Sequence, residues 1–319
     1  MGGRRLMLGR TAGGLYWMFR YLERSENIAW LLEAGMRIAL TNSSDLFDEW
    51  DSVLLTAGQK RAYVERYDDV EPAAVIDFLL RDRHNPSSVR SVVELARSNA
   101  REVRTALTRE VWEATNATWL AVTDALRRPV STRDLPRVLS LIRQESAYVR
   151  GALHGTMLRN DIYNFSRLGT FLERADNTAR ILDVKYYVLL PSPLDVGGQL
   201  DNAQWETILR SVSAQRAFRW RNGGNVTASG IADFLILDRQ MPRSLLFCYE
   251  RIDRNLEHLA ADYAQQHQSH ELSRNLRLRL AGRSIDDIIE HGLHEFLSEC
   301  IRAGNELGIS VEHDYRFNC

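Results

Sequence analysis

The sequence predicts an all-α protein made of two tandem-duplicated helical bundles packed about a pseudo-twofold axis. Three observations carry that expectation. Pro72, Pro86, Pro129, Pro136, Pro191, Pro193 and Pro242 punctuate long stretches rich in Leu, Ala, Arg and Glu, which are good helix formers. Within those stretches apolar residues recur at three- and four-residue spacing, and alternating strand patterns closed by Asn-Gly or Asp-Gly are absent. The third observation is an internal repeat. Residues 21–33, YLERSENIAWLLE, answer residues 171–183, FLERADNTARILD, with six of thirteen positions identical and five more conservative.

Taken in chain order, each element has its own warrant. Met1–Leu6 reads as an N-terminal extension, and the pattern begins at Met7. The first Glu-Arg helix is followed by WDSVL at 50–54, which answers WETIL at 205–209. Residues 77–89, DFLLRDRHNPSSV, answer 233–245, DFLILDRQMPRSL, with seven of thirteen identical. The offset drifts from 150 to 155 to 156, as expected if only loops changed length. Asp82-Arg83 with Pro86, and Asp238-Arg239 with Pro242, each read as a helix end followed by the next helix start. Trp50 and Trp205 stand at matched positions and read as core anchors. Leu135, Val138, Leu139, Ile142 and Ala147 mark one helix face, and Ile285, Ile288, Ile289, Leu293, Phe296 and Leu297 another. Residues 192–195 and 221–225 read as loops. The expected halves are residues 7–155 and 156–313, with a tail at 314–319, as one body or two abutting ones.

Length and composition bound the class. A chain of 319 residues, 45% hydrophobic and 26% charged, buries a substantial core and is neither disordered nor low-complexity. The 41 basic residues include only two lysines, Lys60 and Lys185, and a net charge of -1 gives no global case for nucleic acid. Arg97, Arg101 and Arg104 near Trp112 form a local basic stretch, but Glu94 and Glu102 interrupt it. Cys248, Cys300 and Cys319 make neither a disulfide framework nor a metal clip, so a cytoplasmic location is expected. No signal peptide or membrane span is read, because Arg20, Glu23 and Arg24 break the first apolar stretch.

Chemistry concentrates in the Glu-Arg helices. At 100° per residue, Glu23, Glu26 and Asn27 fit one arc beside an apolar stripe, and Glu173, Asp176 and Asn177 repeat it. Arg24 and Arg174 project further round. If the two helices face each other, four carboxylates and two carboxamides converge. One reading makes them a satisfied ion network, since buried charges must be paired. The other makes them a cavity for a cation, an amine or a phosphate, with Mg²⁺ as an admissible occupant between carboxylates. No phosphate loop, His-Glu-x-x-His helix or Gly-x-Ser-x-Gly elbow is present, and no metal site or resident cofactor is expected beyond that Mg²⁺. His267 with His270, and His291 with His294, are His-x-x-His pairs compatible with one helix face each, read as solvated surface. His154 is a secondary candidate, as a proton carrier or a hydrogen-bonded structural residue.

Met7-Leu8-Gly9-Arg10-Thr11-Ala12, Tyr21-Leu22-Glu23-Arg24-Ser25-Glu26-Asn27 and Gly155-Thr156-Met157 resemble the bacterial alpha-E family. So do Arg167-Leu168-Gly169, Phe171-Leu172-Glu173-Arg174-Ala175-Asp176 and Asp183-Val184-Lys185-Tyr186. The sequence departs from many relatives at Asn177-Thr178, where Met-Thr is expected. The resemblance implies a setting more than a chemistry: a circularly permuted ATP-grasp ligase as partner, often with a transglutaminase-like protein, in a system that makes or modifies peptides. It supplies no catalytic residues. The function expected on this basis is a helical accessory or binding protein working with an ATP-grasp amide ligase. An acyl or amide transferase or hydrolase with an acidic Glu-Arg pocket, and a purely structural assembly protein, are the alternatives.

Overall fold

Helix starts are set by the side chains that precede each apolar run. In the computed structural model, which describes residues 7–41, 46–188, 199–223 and 226–317, every regular element is a helix. The order is α1 (Gly9–Thr41), α2 (Leu46–Thr56), α3 (Lys60–Val64), α4 (Pro72–Leu80), α5 (Val89–Glu102), α6 (Arg109–Ala125), α7 (Leu135–Thr156) and α8 (Asp161–Val188). It continues with α9 (Gln199–Ser211), α10 (Gln215–Asn222), α11 (Ala228–Ile236), α12 (Leu245–Tyr263), α13 (Gln268–Ala281), α14 (Ile285–Glu290) and α15 (Leu293–Asp314). Ser88, Thr227 and Ser244 cap α5, α11 and α12 by accepting from the third N–H onward, and Pro72 and Pro136 stand in the first turns of α4 and α7. No helix among the described residues is long and apolar enough to cross a membrane.

The matched sequence segments fall on α1 and α8, on α2 and α9, and on the α4–α5 and α11–α12 corners. Both corners turn the same way chemically. Asp82 accepts from the His84 N–H at 2.9 Å and Asp238 from the Gln240 N–H at 2.7 Å, and then Ser88 and Ser244 open the next helix.

The two long helices α1 and α8 lie against each other at the centre, with α5 and α7 also on α1, and α12 and α15 also on α8. They run in the same direction: Gly169 meets Tyr16, Glu173 meets Arg20 and Arg24, and Ile181 and Val184 share a pocket with Leu31 and Gly35. Gly169 permits the closest approach, because a Cβ there would sit 2.1 Å from the Tyr16 carbonyl oxygen. One apolar cluster joins Leu15, Tyr16 and Phe19 of α1 to Phe165, Leu168 and Phe171 of α8 and onward to Ile252 and Leu297. A second gathers Ile28, Ala29 and Leu32 with Trp50, Tyr63, Phe78 and Leu139. Trp50 and Trp205 are both buried, one in each cluster.

Two expectations about helix limits need correction. The apolar spacing from Ile285 to Leu297 suggested one face, but the chain breaks between α14 and α15 at Gly292, whose φ of 102° is open to glycine and strained for other residues. The loop expected at 221–225 begins later: α10 runs through Asn222 and ends at Gly223, in the left-handed region at φ 61°. Met1–Leu6, Pro191, Pro193, the loop at 192–195, Asn225 and Cys319 lie outside the described residues.

Candidate functional site

The Glu-Arg dipeptides of α1 and α8 meet and exchange partners. Arg24 donates to Glu173 through Nε at 2.5 Å and Nη2 at 3.0 Å. Arg174 donates to Glu23 through Nε at 2.7 Å and Nη2 at 2.9 Å. Each is a two-pronged guanidinium–carboxylate contact, the strongest hydrogen-bonded ion-pair geometry side chains form. The two contacts are reciprocal: the arginine of each dipeptide binds the glutamate of the other.

The surroundings of the two pairs differ. Around Glu23, Arg243 and Arg150 approach at 3.3 Å and 3.4 Å, and both also bind Glu26. Arg243 further donates to the Asn27 side-chain oxygen at 3.0 Å. Its own backbone is fixed by Thr178, which donates to the Arg243 carbonyl at 2.8 Å, while Arg174 donates to the Pro242 carbonyl. Around Glu173 the additional cation is Arg20, at 3.0 Å, itself steadied by the Tyr16 hydroxyl. Asp176 is held by Arg180 one turn along α8, at 2.8 Å and 3.2 Å. All four carboxylates therefore carry arginine partners.

Burial raises the cost of charge here, but the arginines outweigh it. For Glu23, desolvation pushes the carboxyl up, yet Arg174, Arg243 and Arg150 hold it well below the usual carboxylate range. Glu173 is treated likewise by Arg24 and Arg20 and lies at about 2. Arg243 is the exception among the cations: burial, together with Arg174 and Arg150, lowers its affinity for its proton despite Glu23 and Glu26.

Beside the Glu173 pair lies a cavity of about 180 Å³, lined among others by Arg24, Asn27, Ser87, Glu173, Asp176 and Asn177. The structure thus brings together every member of the predicted cluster, Glu23, Arg24, Glu26, Asn27, Glu173, Arg174, Asp176 and Asn177, and adds Arg20, Arg150, Arg180 and Arg243. Arg180 was legible as an i+4 partner of Asp176. Arg243 sits at a position where the repeat differs, opposite Ser87, and Arg150 lies on α7, so no local pattern pointed to either. A cavity thus lies beside the cluster, and its four acids are paired.

The other candidates resolve differently. His154 is not poised to carry protons near neutral pH. Partial burial, then Arg167 and Arg159, push its imidazole down to about 4, and it bridges Tyr163 at 2.9 Å and Arg167 at 3.0 Å. The His-x-x-His pairs are not two solvated faces. His270 is buried, and its ring bonds the Leu256 carbonyl at 3.1 Å while closing a capping box with His267 at the start of α13. His291 ends α14 and His294 begins α15, where it meets Asp183 at 2.5 Å, so they share no helix face. Arg97 and Arg104 stack on Trp119 and Trp112 at 4.1 Å and 4.6 Å, which accounts for the basic stretch as cation–π packing. Burial pushes the Cys248 and Cys300 thiols up to about 12, which removes them as nucleophiles. Among the described residues no group of three or more His, Cys, Asp or Glu is arranged to hold a metal.

The Alpha-E family, described as a predicted alpha-helical domain with a conserved ER motif, matches residues 7–315. The chain belongs to the Alpha-E family. Glu23-Arg24 and Glu173-Arg174 are Glu-Arg dipeptides within the matched residues of this Alpha-E chain. Uncharacterized proteins of Mycobacterium bovis and Mycobacterium tuberculosis are each 23% identical to it over 312 residues, covering 92% of this chain and 35% of the relative. The chain therefore spans about a third of the length of the curated relatives it matches. No solved structure matches it significantly.

Proposed function

We propose that this Alpha-E chain is a cytoplasmic helical accessory protein that works with a circularly permuted ATP-grasp amide ligase in peptide synthesis or modification. It holds the ligase, an acceptor peptide or an amine, with the Glu-Arg cluster as holding site or as the joint between halves. A transglutaminase-like protein is a further expected partner. The observation that carries the reading is the pairing of all four cluster carboxylates with arginine, which suits a rigid holding element better than a general base. Two facts agree with it: no phosphate loop is present in the sequence, and the mycobacterial relatives join a similar segment to a much longer chain. The same reading takes residues 7–155 and 156–313 as copies of one unit about a pseudo-twofold axis. Support for that comes from the repeated sequence and the reciprocal Glu23–Arg174 and Glu173–Arg24 contacts.

The test is reconstitution with a circularly permuted ATP-grasp ligase from the same genome. We expect a stable complex on size exclusion, no ATP turnover by this chain alone, and a fall in ligated product when it is omitted. Product formation that is unchanged without it overturns the reading.

A further inference from the structure

The two sides of the Glu-Arg cluster differ at several matched positions, and one of these differences lies beside a space. On the first side Arg243 fills the corner, donating to Glu26 at 2.9 Å and Asn27 at 3.0 Å. Its counterpart in the repeat is Ser87, and beside Ser87 lies the cavity of about 180 Å³. Small-molecule pockets for drug-sized ligands are larger, roughly 300–1,000 Å³, so this one suits a ligand of a few heavy atoms or one end of a longer one.

The polar groups that reach the cavity are mostly donors. Asn27 is only 5% exposed, its oxygen is occupied by Arg243, and its Nδ2 is buried with no acceptor. Asn27 is one of the residues that line the cavity. Asn177 lines the same cavity and also has a buried Nδ2 without an acceptor. Ser87 accepts from Arg24 at 3.4 Å, which leaves its own hydroxyl proton to give. The two carboxylates in the wall are committed, Glu173 to Arg24 and Arg20 and Asp176 to Arg180. Around the cavity two lining arginines, Arg24 and Arg180, face two lining carboxylates, Glu173 and Asp176, and Arg20 on Glu173 adds one further positive charge. Buried donors without acceptors are costly, and a partner that supplies oxygen lone pairs removes that cost.

We propose that this cavity is an oxyanion site, which takes the carboxylate or phosphate group of a small ligand against Arg24, Asn27, Ser87 and Asn177. The site deepens the holding role above and rests on that part of it, but not on the ligase partnership. The experiment is calorimetric titration of the full chain in chloride buffer with inorganic phosphate and, separately, with glycylglycine, using glycylglycinamide as the control without a carboxylate. Binding of phosphate names a phosphoryl group as the natural anchor; binding of glycylglycine but not its amide names a carboxylate. Two variants read the site. Ser87→Arg places on this side the side chain that fills the other, and Asn27→Asp keeps an oxygen for Arg243 while replacing the donor with an acceptor. Each is expected to weaken binding tenfold or more, with the helical circular-dichroism signal of Asn27→Asp retained. Binding of neither ligand at millimolar concentration, or equal binding by Asn27→Asp, overturns the proposal. Oxyanion binding with no effect of the chain on the ligase would overturn the partnership alone, and the reverse result would overturn this site alone.

Discussion

Glu173 touches two arginines and Glu23 three, and both carboxylates are nearly inaccessible to water. Removing one partner from a buried pair leaves an uncompensated charge, at about 3–5 kcal/mol. Glu173→Gln should therefore lower the melting temperature by several degrees, because Arg20 and Arg24 both lose their carboxylate, and Glu23→Gln should do likewise through Arg174, while Arg150 and Arg243 keep Glu26. The pairwise part of that loss is separable. Arg24→Gln and Glu173→Gln together should cost less than the sum of the single changes, a coupling on the order of 1–3 kcal/mol. Additive losses in urea unfolding would mean that the two-pronged contact contributes little. The same residues show what sequence could and could not reveal. The arcs of Glu23, Glu26 and Asn27 and of Glu173, Asp176 and Asn177 were legible because helical periodicity and the repeat both put them on one face. Their arginine partners Arg150 and Arg243 were not, since they arrive from other helices and corners, and only tertiary packing brings them in.

At the scale of an element, α1 and α8 depend on how closely their backbones approach. The close contact is at Gly169, where a Cβ would lie 2.1 Å from the Tyr16 carbonyl oxygen and 3.0 Å from its carbon. Backbone cannot yield there as a flexible side chain can. Gly169→Ala should push the helices apart and destabilise the fold by about 1–3 kcal/mol or more. The control is Gly151→Ala in α7, where nothing lies within 4 Å of the added carbon. In that open site Ala should be neutral or stabilise by roughly 0.5–1 kcal/mol through helix propensity. Equal effects of the two changes on the denaturation midpoint would refute the close-packing account. The all-helical character was legible, and Pro, Ser or Thr marks the starts of α4, α5, α6, α7, α11, α12 and α14, but α3, α10, α13 and α15 start without such a mark. Where one helix stops and the next begins was less so: Gly292 breaks a face whose spacing continues from Ile285 to Leu297, and a left-handed φ is a property of the backbone that apolar periodicity does not record.

For the whole molecule, the reciprocal pairs tie α1 to α8, and the largest apolar cluster passes through both helices, so acid should act on the molecule as a unit. The direction follows from which state binds protons. Glu173 has an ordinary value of 4.5 and lies at about 2 in the fold. An unfolded chain therefore takes up the proton first, and the stability Glu173 contributes is complete above about pH 4.5 and lost as pH falls toward 2. That contribution is on the order of 3 kcal/mol, and Glu23, also held low, adds to the same window. His154 begins the loss sooner, because it charges at 6.5 in an unfolded chain but at about 4 in the fold. Acid titration followed by far-ultraviolet circular dichroism and by tryptophan fluorescence should give one coincident transition below about pH 4.5. In Glu173→Gln that transition should become shallower, since one of the groups that link proton uptake to unfolding is gone. Added salt should move it little, because buried pairs are screened far less than surface ones. Two separated transitions would mean that the halves come apart before they unfold, and that the Glu-Arg contacts join them without making them one cooperative unit.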